Sequence, residues 1–395
     1  MTGTSSFRRA ERMSGIEISE IVQLSEAAAA LRAEGRDVVA LSTGEPDFPT
    51  PPHVIAAAHA AAAAGQTRYT PTLGTPALRA AIAAAAGTVA GEVIVSTGAK
   101  QVLANAMLAT LDPGDEVIMP APCWTSYADI VTLAGGRPVV LPCPAAQGFK
   151  LRPEELARAI TGRSRWLMLN SPSNPTGAIY SREELRALAE VLADHPQVMV
   201  LSDEIYRHLA FSPWTSMREA APELTERLLI VDGVSKAYSM TGWRIGWGIG
   251  PAPMIRAMGA VQGQVTSGAS SVSQAAALAA LTGDQGLLDT RRAALRARRD
   301  RVVAALNALP GVTCAAPDGA FYAFPDITGA MERLGAESDA AFCKLVLDRA
   351  GLAIVPGRAF GLPGHARLSF AYSDADLDAG LDRLSAVLAP GPVAA

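Results

Sequence analysis

The sequence predicts an α/β protein with a large, mostly parallel sheet covered by helices and a smaller α+β lobe. Three observations lead to this prediction. Short apolar runs alternate with helix-length segments between about residues 54 and 250, most runs are apolar on both faces, and the pattern changes after about residue 290. Strands that are buried on both faces are typical of parallel sheets with helices on either side.

The first element is an opening helix over residues 19–35, where apolar residues recur at helical spacing, Ser19 can act as N-cap and a glycine stands at the end. A short strand, V-V-A-L-S, and a Gly/Pro-rich loop at 44–52 come next. Seven apolar runs then predict the strands of a seven-stranded sheet. They are residues 92–96, 116–120, 138–142, 165–170, 198–202, 228–232 and 243–249.

The C-terminal part begins with a long helical stretch and continues with the strand-like runs G-A-F-Y-A-F, G-L-A-I-V-P-G and R-L-S-F-A-Y-S, with a helix between the first two. We therefore expect a small domain over 291–395 and a large ligand-binding domain over 49–290. The N-terminal segment, 1–48, is expected to join the small domain. Together they would form one catalytic unit with two lobes.

Composition excludes several classes of protein. The 395 residues are 49% apolar and 18% charged, with a formal net charge of −4 and no basic run interleaved with aromatic residues, so nucleic acid is not expected as a partner. No stretch approaches the ~18 apolar residues of a membrane span, and no signal peptide is recognisable, so a cytoplasmic location is expected. The four cysteines are scattered, which indicates free thiols and gives no pattern for a metal site.

Lysine is rare in this chain. Among 34 basic residues only four are lysines, namely Lys100, Lys150, Lys236 and Lys344. A lysine amine can lose its proton in a buried site and attack a carbonyl group, whereas an arginine guanidinium stays protonated. Lys236, which follows the run 228–232, is therefore a candidate for covalent chemistry.

Ligands of open α/β sheets bind beyond the carboxyl ends of the strands, so the loops at those ends are the candidates for a site. After 92–96, Gly98, Ala99 and Lys100 lead into a helix whose amides and dipole would hold an anion such as a phosphate. Trp124, in A-P-C-W, offers a flat ring for stacking, and Asn174 lies in the rigid loop S-P-S-N-P-T-G.

Three further groups complete this set. Asp203 follows the apolar run 198–202, so its carboxylate should be buried and require a cationic or hydrogen-bonding partner. Tyr206 comes three residues later, and Arg244 comes eight residues after Lys236. Pyridoxal 5′-phosphate uses a phosphate cradle, an aromatic face, an amide, a buried anion, a phenol, an amine and a guanidinium at once, and is the expected cofactor.

The chain resembles the class-I pyridoxal-phosphate aminotransferases of fold type I, in the bacterial aspartate aminotransferase branch. The resemblance extends nearly end to end, through L-S-T-G-E-P-D-F-P-T-P, T-G-A-K-Q, N-S-P-S-N-P-T-G, S-D-E-I-Y, S-K-A-Y-S-M-T-G-W-R-I-G, G-A-F-Y and R-L-S-F-A-Y-S. It implies that Lys236 forms the Schiff base and moves the proton, and that Asp203 pairs with the pyridine nitrogen. Asn174 and Tyr206 would bind the ring 3′-oxygen, and Trp124 would stack on the ring.

The resemblance also implies the remaining contacts. Arg244 and the amides at 98–100 would hold the phosphate, while Tyr69 would reach the phosphate of a neighbouring subunit, which requires a homodimer. Arg367 would clamp the substrate α-carboxylate beside Gly44, with Trp124 and Asn174 lining the substrate position. The peptide bonds before Pro122 and Pro175 would be cis.

Two positions depart from the family pattern. Gly233 stands where some branches have a phosphate-binding serine, with Ser235 as a possible substitute, and Glu17 stands where dicarboxylate-specific enzymes often have a basic residue. Lys100 is the candidate cation for a distal carboxylate, whereas Glu17 would repel this group if the N-terminal segment folds over the site. Substrates are therefore expected to include aspartate and glutamate, and also aromatic amino acids, with a 2-oxo acid as acceptor.

Two other functions belong to related proteins. A β- or γ-eliminating lyase uses the same scaffold and the same carbanion, and these motifs do not separate it from a transaminase. A pyridoxal-phosphate-sensing regulator would carry an added DNA-binding domain, for which the roughly 18 residues before the first predicted helix are too few.

Overall fold

The structure is a computed structural model that describes residues 8–389. Residues 1–7 and 390–395, which belong to the predicted N-terminal segment and small domain, lie outside this range. The strands are β1 Val39–Ala40, β2 Val93–Thr97, β3 Glu116–Ala121, β4 Arg137–Pro142, β5 Ser164–Asn170, β6 Met199–Asp203, β7 Leu228–Gly233, β8 Ile245–Ile249, β9 Tyr322–Ala323, β10 Leu352–Ala353, β11 Val355–Pro356 and β12 Ala366–Ser369.

Helices separate most of these strands, as the sequence pattern indicates. They are α1 Glu20–Ala33, α2 Pro52–Ala63, α3 Pro76–Ala85, α4 Ala99–Thr110, α5 Ser126–Leu133, α6 Pro153–Ala159, α7 Arg182–Ala193, α8 Met217–Ala220, α9 Ala252–Val265, α10 Ser271–Thr282, α11 Gly286–Asn307, α12 Thr328–Leu334, α13 Asp339–Ala350 and α14 Asp374–Leu388.

A seven-stranded sheet forms the centre of the molecule, in the order β2-β8-β7-β6-β5-β3-β4. Strand β8 runs antiparallel to both of its neighbours, whereas the other pairs are parallel. All seven predicted runs form strands of this sheet, and the α/β prediction is confirmed. The last run begins at Ile245 and not at residue 243, because Trp243 ends a 3₁₀ turn and Arg244 adopts a left-handed conformation.

Both faces of the sheet are buried under helices. Val93 and Val95 point into a core that includes residues of α3, α7 and α10, while Ile94 between them points into a second core with α4, α5 and α9. Alternate residues of one strand thus enter different cores, which explains the nearly continuous apolar runs. Strand β4, at one edge of the sheet, differs in being partly exposed, and its Val140 is 44% exposed.

The remaining strands form two small sheets. Strands β11, β12 and β9 make an antiparallel sheet in that order, and β1 pairs in parallel with β10. Helix α1 packs on β10 and β11. The N-terminal segment is therefore in contact with the C-terminal part of the chain. We propose that the two belong to one lobe, joined to the larger one through α11, which runs through the boundary proposed at 290/291.

The opening helix is two residues shorter at its end than predicted. Ser19 occupies the N-cap position as expected, although its side chain accepts no capping hydrogen bond. Gly35 follows the helix with φ of 86°. The four cysteines are free thiols, and no helix within residues 8–389 has the length and apolar character needed to cross a bilayer.

Candidate active site

A cavity of about 290 Å³ lies at the carboxyl ends of the central strands, where the small sheets meet them. Its size is close to the lower end of small-molecule sites, which start near ~300 Å³. Every residue that the sequence proposes for the site lines this cavity except Gly98 and Tyr69. The fold therefore brings together residues that are distant in sequence.

Lys236 follows β7 and places its amine inside the cavity. Its Nζ donates a 2.8 Å hydrogen bond to the backbone oxygen of Gly44. Burial lowers the pKa of Lys236 to about 8, and the nearby Arg367 adds to this effect while Glu45 opposes it. The amine thus loses its proton at a lower pH than an exposed lysine does, which favours its action as a nucleophile.

Asp203 ends β6 and is only 4% exposed. The Tyr127 hydroxyl donates to its Oδ2 at 2.7 Å, and the Ile205 amide donates to its Oδ1 at 3.2 Å. Burial raises the pKa of Asp203 to about 6, because these neutral donors compensate only part of the lost hydration. A protonated ring nitrogen in the cavity would supply the missing cation.

Arg367 on β12 is a buried cation at 2% exposure. Its Nη1 donates to Asn174 Oδ1 at 3.0 Å and its Nη2 to the backbone oxygen of Ser42, while Nε has no partner among residues 8–389. All of these partners are neutral. A buried guanidinium without a carboxylate is unfavourable by itself and is stabilised by an anionic ligand.

The side-chain amide of Asn170 holds the end of β5 against the end of β6 and also binds the loop that carries Asn174. The Oδ1 of Asn170 accepts a hydrogen bond from the backbone N–H of Asn174 at 2.8 Å. Its Nδ2 donates to the backbone oxygen of Asp203 at 2.9 Å. Asn174 lines the cavity, and since its Oδ1 accepts from Arg367, its Nδ2 remains as the donor of the side chain. The sequence analysis did not identify Asn170, although this residue ends the apolar run that directly precedes the S-P-S-N-P loop.

Tyr206 and Tyr322 form a pair of buried phenols with their hydroxyl oxygens 2.9 Å apart. Tyr322 is the second side chain that the sequence analysis missed, although it lies in the motif G-A-F-Y. Tyr127, the donor to Asp203, is the third. It follows Trp124 by three residues at the start of α5, so a helical reading of T-S-Y would have placed it near Trp124.

The proposed phosphate cradle is formed by the start of α4 and by Arg244. Gly98 caps this helix with φ of 80°, and a Cβ at Gly98 would lie 2.5 Å from Arg244 Nη2, so the guanidinium packs directly on the glycine. A Cβ at Gly246 would lie 2.2 Å from the Ala99 amide nitrogen. Glycine there allows β8 to approach the helix N-terminus, where amides and dipole favour an anion.

Lys100 also lines the cavity, and its side chain lies beside the Trp124 ring. Its Nζ lies 4.8 Å from the centre of the Trp124 ring, and burial lowers its pKa, an effect that Arg244 increases and Asp129 opposes. The Trp124 ring in turn packs edge-to-face on Tyr127, with 5.5 Å between centroids. The amine and the indole therefore form one wall of the site.

The N-terminal segment reaches the cavity through Ile21 and not through Glu17. Glu17 lies in the non-helical stretch before α1 and pairs with Arg9 at 3.1 Å. The expectation that Glu17 would repel a substrate carboxylate is therefore not supported by its position. Tyr69 lies outside the cavity and is 95% exposed, beside a groove that residues 67–70 and 266–271 line.

Backbone geometry at the site agrees with the sequence analysis in two respects. The bonds Ala121–Pro122 and Asn174–Pro175 are cis, and Ser171–Pro172 is cis as well. A Cβ at Gly233 would lie 2.9 Å from the Ile245 oxygen, so this backbone leaves no room for a serine there. Ser235, by contrast, lines the cavity.

Comparisons with known proteins identify the family of this chain. Residues 36–384 match the family model described as aminotransferase class I and II. The chain is 48% identical over 393 residues to the aspartate aminotransferase of Rhizobium meliloti, covering 96% of each chain. It is 47% identical over 392 residues to the aspartate/prephenate aminotransferase of Cereibacter sphaeroides, covering 96% of this chain and 98% of that one.

Solved structures show the same fold. The crystal structure of the Rhizobium meliloti aspartate aminotransferase superposes with a TM-score of 0.93 at 47% identity, covering 97% of this chain and 99% of that chain. The aspartate aminotransferase from Thermus thermophilus with maleate superposes with a TM-score of 0.91 at 40% identity, covering 97% and 100%. The chain is therefore an aminotransferase that belongs to the class I and II family.

Proposed function

We propose that this aminotransferase binds pyridoxal 5′-phosphate in the described cavity and moves the amino group of an L-amino acid to a 2-oxo acid. One observation carries the proposal. Lys236, Asp203 and Arg367 line a single cavity, and the hydrogen-bond partners of all three charged groups are neutral. An aldehyde, a ring nitrogen and a carboxylate are the groups that would match them.

The cofactor, when bound, supplies a ring that accepts the electrons left when the substrate loses its α-proton. Lys236 would hold the aldehyde and, once released by substrate, carry the proton at its Nζ. Asp203 would keep the ring nitrogen protonated. The Nδ2 of Asn174 and the hydroxyl of Tyr206 would donate to the ring oxygen, and Trp124 would cover the ring face.

The phosphate would lie at the N-terminus of α4. The amides of Ala99 and Lys100 would donate to it, and Arg244 would neutralise it from the side of Gly98. This arrangement uses backbone donors that a helix leaves unpaired in any case. It would fix one end of the cofactor while Lys236 fixes the other.

Substrate selection would depend on two cations. Arg367 would bind the α-carboxylate, and Lys100 would bind the distal carboxylate of aspartate or glutamate. Relatives of this chain are named aspartate aminotransferase and aspartate/prephenate aminotransferase, which supports dicarboxylate donors and 2-oxo acid acceptors. Ile21 and Trp124 offer apolar surface on which aromatic donors would pack.

A homodimer would complete the site. Tyr69 is almost fully exposed and lies beside an open groove of its own chain, so its phenol is free to meet another subunit. We propose that it donates to the phosphate bound by the partner. The Tyr69→Phe variant should then bind the cofactor more weakly while remaining dimeric in sedimentation.

The half-reaction tests the proposed chemistry. Purified enzyme with cofactor is mixed with aspartate in the absence of an acceptor, and one equivalent each of oxaloacetate and pyridoxamine phosphate is expected. Serine, whose β-hydroxyl can leave as water, is offered in a parallel reaction, and continuous release of ammonia and pyruvate from it would instead identify an eliminating lyase. Lys236→Ala should form neither oxaloacetate nor pyridoxamine phosphate from aspartate. Lys344→Ala is the matched control and should form both, because Lys344 is an exposed lysine paired with Asp348.

A further inference from the structure

Tyr322 has no part in the roles proposed so far, although it contacts three residues that do. Strand β9 places it opposite Ser369 of β12, two residues from Arg367. The guanidinium carbon of Arg367 lies 4.6 Å from the centre of the Tyr322 ring and 4.9 Å from the centre of the Phe360 ring. The two aromatic rings therefore support the guanidinium through cation–π contacts.

The Tyr322 hydroxyl has a second contact, at 2.9 Å from the Tyr206 hydroxyl. Both side chains are buried, and burial raises the pKa of both phenols, so each keeps its proton at neutral pH. Within residues 8–389, no other acceptor or donor forms a hydrogen bond with either hydroxyl. The two hydroxyl groups therefore form a single hydrogen bond with each other, and only one of their two protons takes part in it.

The direction of this hydrogen bond decides what Tyr206 can do. If Tyr206 donated to Tyr322, its proton would be engaged and could not reach a ligand in the cavity. If Tyr322 donates, Tyr206 accepts and keeps its own proton for the cavity. A phenol that accepts one hydrogen bond is also a stronger donor, because hydrogen bonds in a chain polarise one another.

Gly44 holds the Tyr322 hydroxyl from the other side. A Cβ at this position would lie 2.2 Å from the hydroxyl oxygen, so the backbone of Gly44 packs directly on it. The same glycine accepts the hydrogen bond from Lys236 through its backbone oxygen. The phenol is thus fixed between Gly44 and Tyr206, with Arg367 on its ring.

We propose that Tyr322 is a positioning residue for transamination: its hydroxyl donates to Tyr206 and directs the Tyr206 proton to the cofactor ring oxygen, while its ring supports Arg367. The inference rests on the proposed function, since it assigns the ring oxygen as the acceptor. The hydroxyl and the ring of one residue then serve different ligands, the cofactor and the substrate carboxylate. Two substitutions separate these two effects.

Tyr322→Phe keeps the ring and removes the hydroxyl. Tyr206 then becomes a weaker donor, negative charge on the ring oxygen is less well stabilised, and the nitrogen that joins Lys236 to the cofactor holds its proton more tightly. The pH midpoint of the visible absorbance change of the substrate-free holoenzyme should rise by about half a pH unit. The kcat/KM for aspartate should fall about three- to tenfold, with the affinity for succinate, a non-reacting dicarboxylate, unchanged.

Tyr322→Leu removes the ring as well. It should show the same shift in the absorbance midpoint and, in addition, should weaken succinate binding about tenfold, because Arg367 loses one aromatic face. Tyr180→Phe is the control, since it deletes a buried phenol hydroxyl that accepts from the Leu151 amide outside the cavity. It should leave both the midpoint and succinate binding at wild-type values.

The outcomes separate the inference from the function on which it rests. If the wild-type enzyme neither shows the visible cofactor band nor carries out the half-reaction, the proposed function fails. If the wild-type enzyme does both and the midpoint of Tyr322→Phe coincides with that of wild type and Tyr180→Phe, the positioning role of Tyr322 is refuted. The Phe variant decides this even if the Leu variant does not fold.

Discussion

Lys236 donates a 2.8 Å hydrogen bond from its Nζ to the backbone oxygen of Gly44, and thereby connects the loop after β7 with the loop after β1. A backbone carbonyl does not neutralise the amine as a carboxylate would. Burial therefore dominates and lowers the pKa of Lys236 to about 8. The amine is held in place without being kept protonated.

This pKa predicts how the apoenzyme takes up its cofactor. The reacting species is the free amine, whose fraction grows as the pH rises through about 8 and levels off above that value. The rate of reconstitution with pyridoxal phosphate should follow this curve between pH 6 and 10, measured by stopped-flow absorbance. A free lysine derivative is the control and should keep accelerating up to its ordinary pKa of about 10.4. A similar continued rise for the apoenzyme would contradict the prediction.

A second prediction concerns Asp203→Ala. The variant removes the anion that would hold the proton on the ring nitrogen, so the cofactor can bind without acting as an effective electron acceptor. At saturating cofactor, kcat should fall on the order of 100- to 1000-fold, the scale for removing a charge-stabilising group from an active site. Normal turnover of this cofactor-saturated variant would show that the proposed role of Asp203 is wrong.

A third prediction concerns Lys100→Ala and the choice of substrate. Loss of the amine should weaken transition-state binding of aspartate by roughly 1–3 kcal/mol, the scale of a charge-assisted hydrogen bond, while phenylalanine is nearly unaffected. The measurement is kcat/KM for both donors in wild type, Lys100→Ala and the surface control Lys344→Ala. Equal losses for aspartate and phenylalanine would assign Lys100 to the cofactor or to the support of Trp124.

A fourth prediction concerns stability and Glu204, which lies next to Asp203 in the chain and is 3% exposed. Its Oε1 accepts from Ser202 Oγ at 3.0 Å, Ser216 Oγ at 2.9 Å and the Met217 amide at 3.1 Å. Burial nevertheless raises the pKa of Glu204 from 4.5 to about 7. The folded protein thus binds this proton more tightly than the unfolded chain.

The sign of the pH effect follows from that difference. The contribution of Glu204 to stability is fully present below pH 4.5 and is lost as the pH rises through about 7. Glu204→Gln keeps the accepting oxygen and removes the titration. The thermal unfolding midpoint of Glu204→Gln minus that of wild type should therefore be several degrees higher at pH 8 than at pH 5. An identical difference at both pH values would exclude this account.

The sequence predicted those features that depend on local pattern. Apolar runs identified all seven strands of the central sheet, and residues just beyond the strand ends, such as Asp203 and Lys236, were placed in one cavity because parallel strands share a carboxyl edge. The contacts of Tyr127 with Asp203 and of Tyr322 with Tyr206 were not predicted. They join side chains from different elements, and their partners are set by packing that no local pattern encodes.

The N-terminal segment shows the same limit at finer scale. Glu17 was proposed near the site from an approximate register, whereas Ile21 is the residue that reaches it. Glu17 lies before α1 and Ile21 lies in its first turn, and the sequence alone does not say which of the two faces a cavity formed with other elements. The two-residue strand β1 is similar, because its extent is set by its pairing with β10 and not by its own apolar run.

The pairing of β1 with β10 also determines the order in which the protein can be completed. Val39 lies opposite Leu352, so a ribosome that adds 5–20 residues per second releases β1 roughly 15 to 60 s before its partner. The central sheet can form during this interval, since all its strands lie between the two. Helix α1, with Ile21 at the cavity, has its β10 and β11 neighbours only afterwards. Helix α1, which is synthesised before the central sheet, is thus among the last elements to reach its final place.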